Sequence, residues 1–284
     1  MLKIELFVAA EFCIITIKHC FCVNIYRSVN FYYKIAIIEV RQNMTEKNRL
    51  FSIIDGFKQC RVLVVGDIIL DEYIWGKANR LSPEAPVPVL EVSRYSHVPG
   101  GAANVANNIK SLGGNVAIAG VLGRDTQADQ LENVMREQGI DTSCLIRDES
   151  RPTTVKTRLL AHNRQQLVRF DRETKEPISS ATESDLTRKI AEYANKVDLI
   201  LLSDYAKGVL TETFLQRVIS IAKELNKPVL VDPKGLDFKK YCGATLITPN
   251  RLEAEVATKS EQGTTPEELA NKIRQQLNVE HVLI

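Results

Sequence analysis

Six cysteines in 284 residues, at positions 13, 20, 22, 60, 144 and 242, form no C-x-x-C pair and have no histidine partners at zinc spacing. That pattern argues against a metal ribbon and a disulfide framework, and it suits reduced thiols in a cytoplasmic protein. An excess of one charge is also lacking. With 37 basic and 35 acidic residues the formal net charge is +2, which gives no electrostatic footprint for nucleic acid or an anionic membrane. Long apolar runs are missing too: Glu5, Glu11, Lys18 and Arg27 interrupt the apolar N-terminal stretch, leaving nothing near the roughly 20 residues of a spanning helix. Nor does that stretch show the basic start, apolar middle and small-residue cleavage site of a secretory signal. The G-x-G-x-x-G fingerprint is absent from Val62 to Tyr73 and no G-x-x-x-x-G-K-[ST] occurs, which speaks against a nicotinamide dehydrogenase and a P-loop enzyme. His19, His97, His162 and His281 are the only histidines and form no H-x-G-H, the signature a nucleotidyl transferase would need. No internal repeat or low-complexity segment interrupts the chain.

What is present is enough for one large core or two modest ones, since 44% of the residues are apolar. Residues 1–43, rich in Ile, Phe, Tyr and Cys, read as an N-terminal extension outside the fold, with Met44-Thr45-Glu46-Lys47 as a more ordinary start. Residues 44–284 read as one domain. From residue 61 short β-branched runs alternate with amphipathic windows, the mark of a parallel sheet covered by helices. Strands are expected at Arg61 to Gly66, Asn115 to Val121, Asp198 to Leu202, Pro228 to Val231, Ala244 to Thr248 and His281 to Ile284. After Gly101, Ala102, Val105, Ala106, Ile109 and Leu112 make one helical stripe that Gly113 closes, and Phe214, Leu215, Val218, Ile219, Ala222 and Leu225 make another. Capping-box spacing occurs at Thr126 and Asp129, Thr182 and Asp185, and Thr265 and Glu268, with Pro266 at the first helical position of the last.

Two regions break the alternation, Val87 to Val92 and Thr153 to Phe170, and are expected to form a small antiparallel sheet added to the main one. Within the second, Lys156 and Arg158 share a strand face, as do Arg169 and Asp171, because side chains repeat every two residues. A charged face toward a cleft suits a phosphorylated ligand, and a solvated outer face accommodates the same pattern. Pro99-Gly100-Gly101-Ala102-Ala103-Asn104-Val105-Ala106 opens a helix with a double glycine. Bare backbone N–H groups at such a turn admit a ligand, and asparagine both donates to and accepts from sugar hydroxyls. Most glycine pairs before helices are nevertheless simple turns.

Taken in order, these segments resemble the ribokinase-like (PfkB) carbohydrate kinase family: Val65-Gly66-Asp67-Ile68-Ile69-Leu70-Asp71, Ser82-Pro83-Glu84-Ala85-Pro86-Val87-Pro88-Val89, the double glycine, Gly120-Val121-Leu122-Gly123-Arg124-Asp125, Leu202-Ser203-Asp204-Tyr205-Ala206-Lys207-Gly208, Val231-Asp232-Pro233-Lys234-Gly235, and Leu246-Ile247-Thr248-Pro249-Asn250-Arg251-Leu252-Glu253. The S-P-E-A-P-V-P and S-D-Y-A-K-G segments resemble the branch that phosphorylates a heptose phosphate, stand-alone or fused to an adenylyltransferase. The resemblance implies a ribokinase-like fold, mainly a parallel sheet flanked by helices with a small antiparallel β lid near 87–92 and 153–171, through which the complete protein would pair as a homodimer. It implies ATP-dependent phosphorylation of D-glycero-D-manno-heptose 7-phosphate at the 1-position, in supply of ADP-heptose for lipopolysaccharide. Other sugar kinases of the family, and a non-catalytic sugar-phosphate-binding fragment, are the alternatives.

Site residues follow from the same resemblance. Asp71, read as the end of the first strand, matches the sugar-binding carboxylate, and Gly100, Gly101 and Asn104 match the sugar-binding glycines and their asparagine. Lys156, Arg158, Arg169, Asp204 and Lys207 are expected around the phosphorylated substrate, joined by Arg164 in the same cationic cluster. Asn250, Arg251, Leu252 and Glu253 match the N-x-x-E segment that organises Mg2+ and ATP phosphates, with Glu253 reaching the metal through water. Asn250 capping a helix fits that spacing as well. Asp232 and Lys234 lie at strand ends on the nucleotide side. The catalytic base of the family is the aspartate of a G-A-G-D segment, whose glycine N–H groups steady the transferring phosphoryl group. No G-A-G-D occurs in these 284 residues, so the chain is expected to be C-terminally truncated and catalytically silent as given.

Overall fold

A computed structural model describes residues 44–161 and 164–284. The expectation for residues 1–43, and His162, lie outside the described residues. Helix α1 is Met44–Gly56; the strands are β1 (Arg61–Gly66), β2 (Ile68–Leu81), β3 (Pro88–Gly101), β4 (Asn115–Gly123), β5 (Asp141–Asp148), β6 (Thr154–Leu160), β7 (Gln166–Arg172), β8 (Leu199–Ser203), β9 (Val229–Asp232), β10 (Leu246–Ile247) and β11 (His281–Val282). Between them run α2 (Ala102–Ser111), α3 (Thr126–Glu137), α4 (Ser180–Ala194), α5 (Glu212–Glu224), α6 (Arg251–Ala257) and α7 (Pro266–Leu277). Two compact units can be separated: the described residues up to Cys60 with Asn108–Asn115, and the remainder. In the first, a tight turn at Phe57–Gln59 buries Phe57, and Asn115 donates its backbone N–H to the Cys60 carbonyl at 2.8 Å and its side-chain amide to the Lys58 carbonyl at 3.1 Å.

The second unit is built on a seven-stranded sheet of order β11-β10-β9-β8-β1-β4-β5. β1 pairs with β8, β8 with β9, β9 with β10, β10 with β11 and β4 with β5, all in parallel. Strands covered on both faces are apolar along their whole length, and β8, Leu199-Ile200-Leu201-Leu202-Ser203, is buried at every position. Leu63, Val65, Ile200, Leu202 and Val231 pack with Leu186 and Ile190 of α4, Phe214, Leu215 and Val218 of α5, and Leu269 and Ile273 of α7. The two anticipated stripes are therefore core faces: Phe214, Leu215, Val218, Ile219 and Ala222 are all buried, and so are Ala102, Val105, Ala106 and Ile109.

A separate four-stranded sheet has the order β3-β2-β6-β7. It departs from the sequence expectation in two ways. β2 and β6 run parallel, so the sheet is mixed, with β2–β3 and β6–β7 as its antiparallel pairs. Asp71 does not end the first strand but lies inside β2, because Asp67 alone separates β1 from β2 and hands the chain from one sheet to the other. The apolar run Ile68-Ile69-Leu70 continues that of β1 so closely in sequence that the crossing between sheets leaves no compositional mark. β5 went unforeseen, its apolar run being interrupted by Asp141, Thr142, Ser143 and Arg147. Two caps were misplaced, one by a single residue and one by three: Asp125, not Thr126, accepts the Ala128 N–H at 2.9 Å, and Ser179, not Thr182, accepts the Thr182 N–H at 3.1 Å. The box at Thr265 and Glu268 is fully formed, with Pro266 at the first helical position.

Candidate functional site

The site grows from the crossing at Asp67. Its side chain is 1% exposed and accepts backbone N–H groups of Tyr205 at 2.8 Å, Lys207 at 3.2 Å and Val209 at 3.3 Å, so one carboxylate pins the whole 205–209 loop. Burial raises its pKa, and the neighbouring Asp204 charge adds to that, against the three N–H donors. The Asp67 carbonyl also accepts the Ala102 N–H at 2.9 Å, which fixes the start of α2. Gly101 there has φ of +57°, and a Cβ on it would come within 2.5 Å of that carbonyl. Only glycine fits such a turn. Asn104 follows on the first turn of α2, half-buried.

Asp71 stands on β2 with its carboxylate laid against Gly100, so close that a Cβ at Gly100 would collide with Oδ2. Register then places its neighbours: Asp71 lies opposite Lys156, Tyr73 opposite Arg158, Lys156 opposite Asp171 and Arg158 opposite Arg169. Residues paired across strands share a face, so Asp71, Tyr73, Lys156, Arg158, Arg169 and Asp171 stand on one side of the sheet. Arg158 donates to Asp71 at 2.6 Å and lies over the Tyr73 ring at 5.3 Å. Asp171 accepts Lys156 at 2.9 Å and pairs with Arg169 at 3.0 Å. Glu173 joins this face to the 205–209 loop, pairing with Lys207 at 2.7 Å and Lys156 at 3.6 Å. Arg164 is exposed beyond the end of β6, with φ of 63°.

The remaining residues gather past the C-terminal ends of β8, β9 and β10, the edge where open α/β sheets collect ligands. Asp204 is 3% exposed and accepts Lys240 Nζ at 2.6 Å, the Tyr241 hydroxyl at 2.7 Å and the Ala206 N–H at 2.7 Å. Tyr241 in turn accepts the Lys234 backbone N–H at 3.0 Å, and Lys234 Nζ reaches Glu253 at 3.0 Å. Asp232 ends β9 opposite Ser203 of β8. Glu253 and Asn250 form a capping box, with the Asn250 side chain accepting the Glu253 N–H and Glu253 accepting the Asn250 N–H, both at 2.9 Å. Arg251 bonds Glu255 at 3.0 Å, and Leu252 is 66% exposed.

Two groups of expected residues are thus each brought together. The first is Asp71, Gly100, Lys156, Arg158 and Arg169, with Lys207 attached through Glu173. The second is Asn250, Glu253 and Lys234, linked through Tyr241 to Asp204. Tyr205 stands between them, its hydroxyl pushed up by burial and by the nearby charges of Asp232 and Asp71. Sequence reasoning missed Asp67, Glu173, Tyr205, Lys240 and Tyr241. A buried aspartate directly after an apolar strand was a usable signal for the first, since such a carboxylate requires N–H donors.

Solved structures share this architecture. The tetrameric inhibited form of phosphofructokinase-2 from Escherichia coli superimposes with a TM-score of 0.62 at 16% identity, covering 78% of this chain and 72% of that one. Ribokinase from Arabidopsis thaliana, complexed with ribose and ATP, gives 0.54 at 17% identity, covering 78% and 70%. The pfkB family of carbohydrate kinases matches residues 60–284. The chain belongs to the pfkB family. Within it, the bifunctional protein HldE of Helicobacter pylori is 49% identical over 197 residues, 69% of this chain and 42% of that protein, and HldE of Geobacter metallireducens is 47% identical over 213 residues, 75% and 43%. The chain therefore spans less than half the length of these curated relatives.

Membership makes the chain a sugar kinase by family and ties its fold to a ribokinase-like one. No helix among the described residues is long and apolar enough to cross a membrane. A directly ligated metal does not fit the residues expected on the nucleotide side of this pfkB chain. Both Glu253 oxygens are engaged, one by Lys234 and one by the Asn250 N–H, and among the described residues no three His, Cys, Asp or Glu side chains cluster to hold an ion.

Proposed function

We propose that this chain provides the sugar-binding face and part of the nucleotide-binding edge of a kinase that transfers the γ-phosphoryl group of ATP to the 1-position of D-glycero-D-manno-heptose 7-phosphate, in the cytoplasm, toward ADP-heptose for lipopolysaccharide. One observation carries the reading: a carboxylate seated on a glycine turn, Asp71 on Gly100, shares a sheet face with Lys156, Arg158 and Arg169. The carboxylate suits sugar hydroxyls and the cations suit a phosphate already on the sugar. An unphosphorylated sugar would leave those cations only their pairing with Asp71 and Asp171. Asn104 would complete the hydroxyl contacts, and Lys207 would close the phosphate end. Lys234, Asp232 and the Asn250 to Glu253 turn support triphosphate binding at the strand ends, where Mg2+ would enter as a companion of ATP.

Catalysis in this family needs the aspartate and amides of G-A-G-D, which none of the 284 residues supplies. The polypeptide as given is expected to bind sugar phosphate without turning over ATP. The opposite face of the four-stranded sheet leaves Tyr95 and Phe170 more than half exposed, 59% and 54%, which supports pairing of two copies through that sheet. Calorimetric titration with D-glycero-D-manno-heptose 7-phosphate in the absence of ATP tests the central reading. Saturable binding that outcompetes ribose and fructose is the expected result, and no preference among these sugars would sink it.

A further inference from the structure

The sugar-binding carboxylate of this chain is already occupied by the chain itself. Arg158 Nη1 sits 2.6 Å from Asp71 Oδ1, the other Asp71 oxygen lies against Gly100, and both side chains are about four-fifths buried, with 20% and 21% exposed. The guanidinium is held over Tyr73 and donates also to the Lys156 carbonyl at 3.3 Å. Neighbouring carboxylates are no reservoir for it, since Asp171 serves Lys156 and Arg169, and Glu173 serves Lys207. A sugar hydroxyl that is to be accepted by Asp71 must therefore share or displace an ionic hydrogen bond.

A neutral sugar has hydroxyl acceptors but no counter-charge to give Arg158 in return. It would exchange a charge-assisted bond for a hydroxyl bond and leave a largely desolvated cation with less of its counter-charge. A phosphate group carries two negative charges and a planar pair of oxygens that a guanidinium engages bidentately. Only a sugar bearing phosphate compensates both partners of the pair. Resting on the sugar-phosphate reading above, the geometry points to Arg158 as a specificity gate: its clasp on Asp71 closes the hydroxyl-binding carboxylate to unphosphorylated sugars, and the substrate's own phosphate opens it by drawing the guanidinium away. The gate makes phosphate an activator of hydroxyl binding, beyond being one more contact.

Two titrations test this, both on the 284-residue chain. Inorganic phosphate should tighten binding of unphosphorylated D-glycero-D-manno-heptose, by about three- to tenfold, because two ligands that pull the same pair apart must help each other reciprocally. Competition between phosphate and heptose, or independence, overturns the gate. Arg158→Gln should weaken heptose 7-phosphate by about ten- to a hundredfold while strengthening the unphosphorylated heptose, so that the ratio of the two affinities collapses. Arg158→Lys, which keeps charge but not the planar fork, should fall between. Equal weakening of both sugars by Arg158→Gln would make Arg158 an ordinary contact and overturn the proposal. Failure of the unsubstituted chain to bind heptose 7-phosphate at all is a different result, because it removes the sugar-phosphate reading on which the gate rests.

Discussion

In the seven-stranded sheet β8 is buried at every residue and β1 at all but its first, whereas β7 of the four-stranded sheet buries none of its seven residues. The first sheet coheres through apolar area closed between helices. The second buries Ile69, Leu70, Val155 and Leu160 in β2 and β6 and adds ion pairs, Asp71–Arg158 and Lys156–Asp171 across strands and Arg169–Asp171 along β7. The difference separates an apolar platform from a charged face. Apolar burial is indifferent to what binds nearby, but a grid of ion pairs can re-partner with a substrate at little net change, so the same residues that join the strands are available for recognition.

The comparison breaks most readily at its strongest point. Phe214→Ala empties a fully buried position in the platform core and is expected to cost about 3–5 kcal/mol in denaturant unfolding. A loss below about 1 kcal/mol would mean that the core is not what holds the parallel sheet. Gly100→Ala comes next, and acts on binding: the added Cβ runs into the Asp71 carboxylate, so affinity for heptose 7-phosphate should drop by at least about tenfold, the scale of one charge-assisted hydrogen bond. Unchanged affinity would show that Asp71 does not need its seat. Lys156→Met, by contrast, leaves Asp171 paired with Arg169 and should change stability by about 1 kcal/mol or less. A cost as large as that of Phe214→Ala would erase the distinction between the two sheets.

That same distinction explains what was legible in the sequence. The platform strands other than β5 are near-continuous apolar runs, and each of these was readable because burial on both faces demands that composition, whereas β5 is broken by polar residues. The strands of the four-stranded sheet were only partly readable. β6 and β7 carry charges at alternate positions, which signalled a strand but not which face meets the ligand. β2 was hidden because Ile68, Ile69 and Leu70 prolong the apolar run of β1 across a change of sheet. At the site, Gly100, Gly101 and Asp71 were found through resemblance and are brought together as expected. The partners that fix them were not visible. Asp67 works through N–H groups nearly 140 positions away, at Tyr205, Lys207 and Val209, and a single sequence does not print long-range pairs. Asn250 and Glu253 illustrate the opposite limit: one spacing fits both a helix cap and the expected nucleotide turn, and the cap is what the fold forms.

Acid should separate the two sheets by the smallest but most selective effect. Burial alone would lift the Asp171 and Glu173 carboxyls, but hydrogen bonds from Lys156 and Lys207 and the surrounding cations prevail and hold both below their ordinary values of 3.8 and 4.5. A carboxylate whose folded pKa lies below its unfolded one contributes stability that is fully present above the unfolded value and is lost as pH falls through the folded value. Asp67 has the opposite sign: burial, then Asp204, raises its pKa above 3.8, so its contribution to stability declines as pH rises through that window and recovers on acidification. Lowering the pH from 7 to about 3.5 should therefore speed amide exchange in β6 and β7, after correction for intrinsic rates, before β9 and β10 respond. Asp198, which burial alone would lift but Arg61 holds low, makes the start of β1 and β8 acid-sensitive as well. Simultaneous loosening of β9 and β10 would mean that the ion-pair grid adds nothing to the four-stranded sheet, and that its charges stand there for the ligand alone.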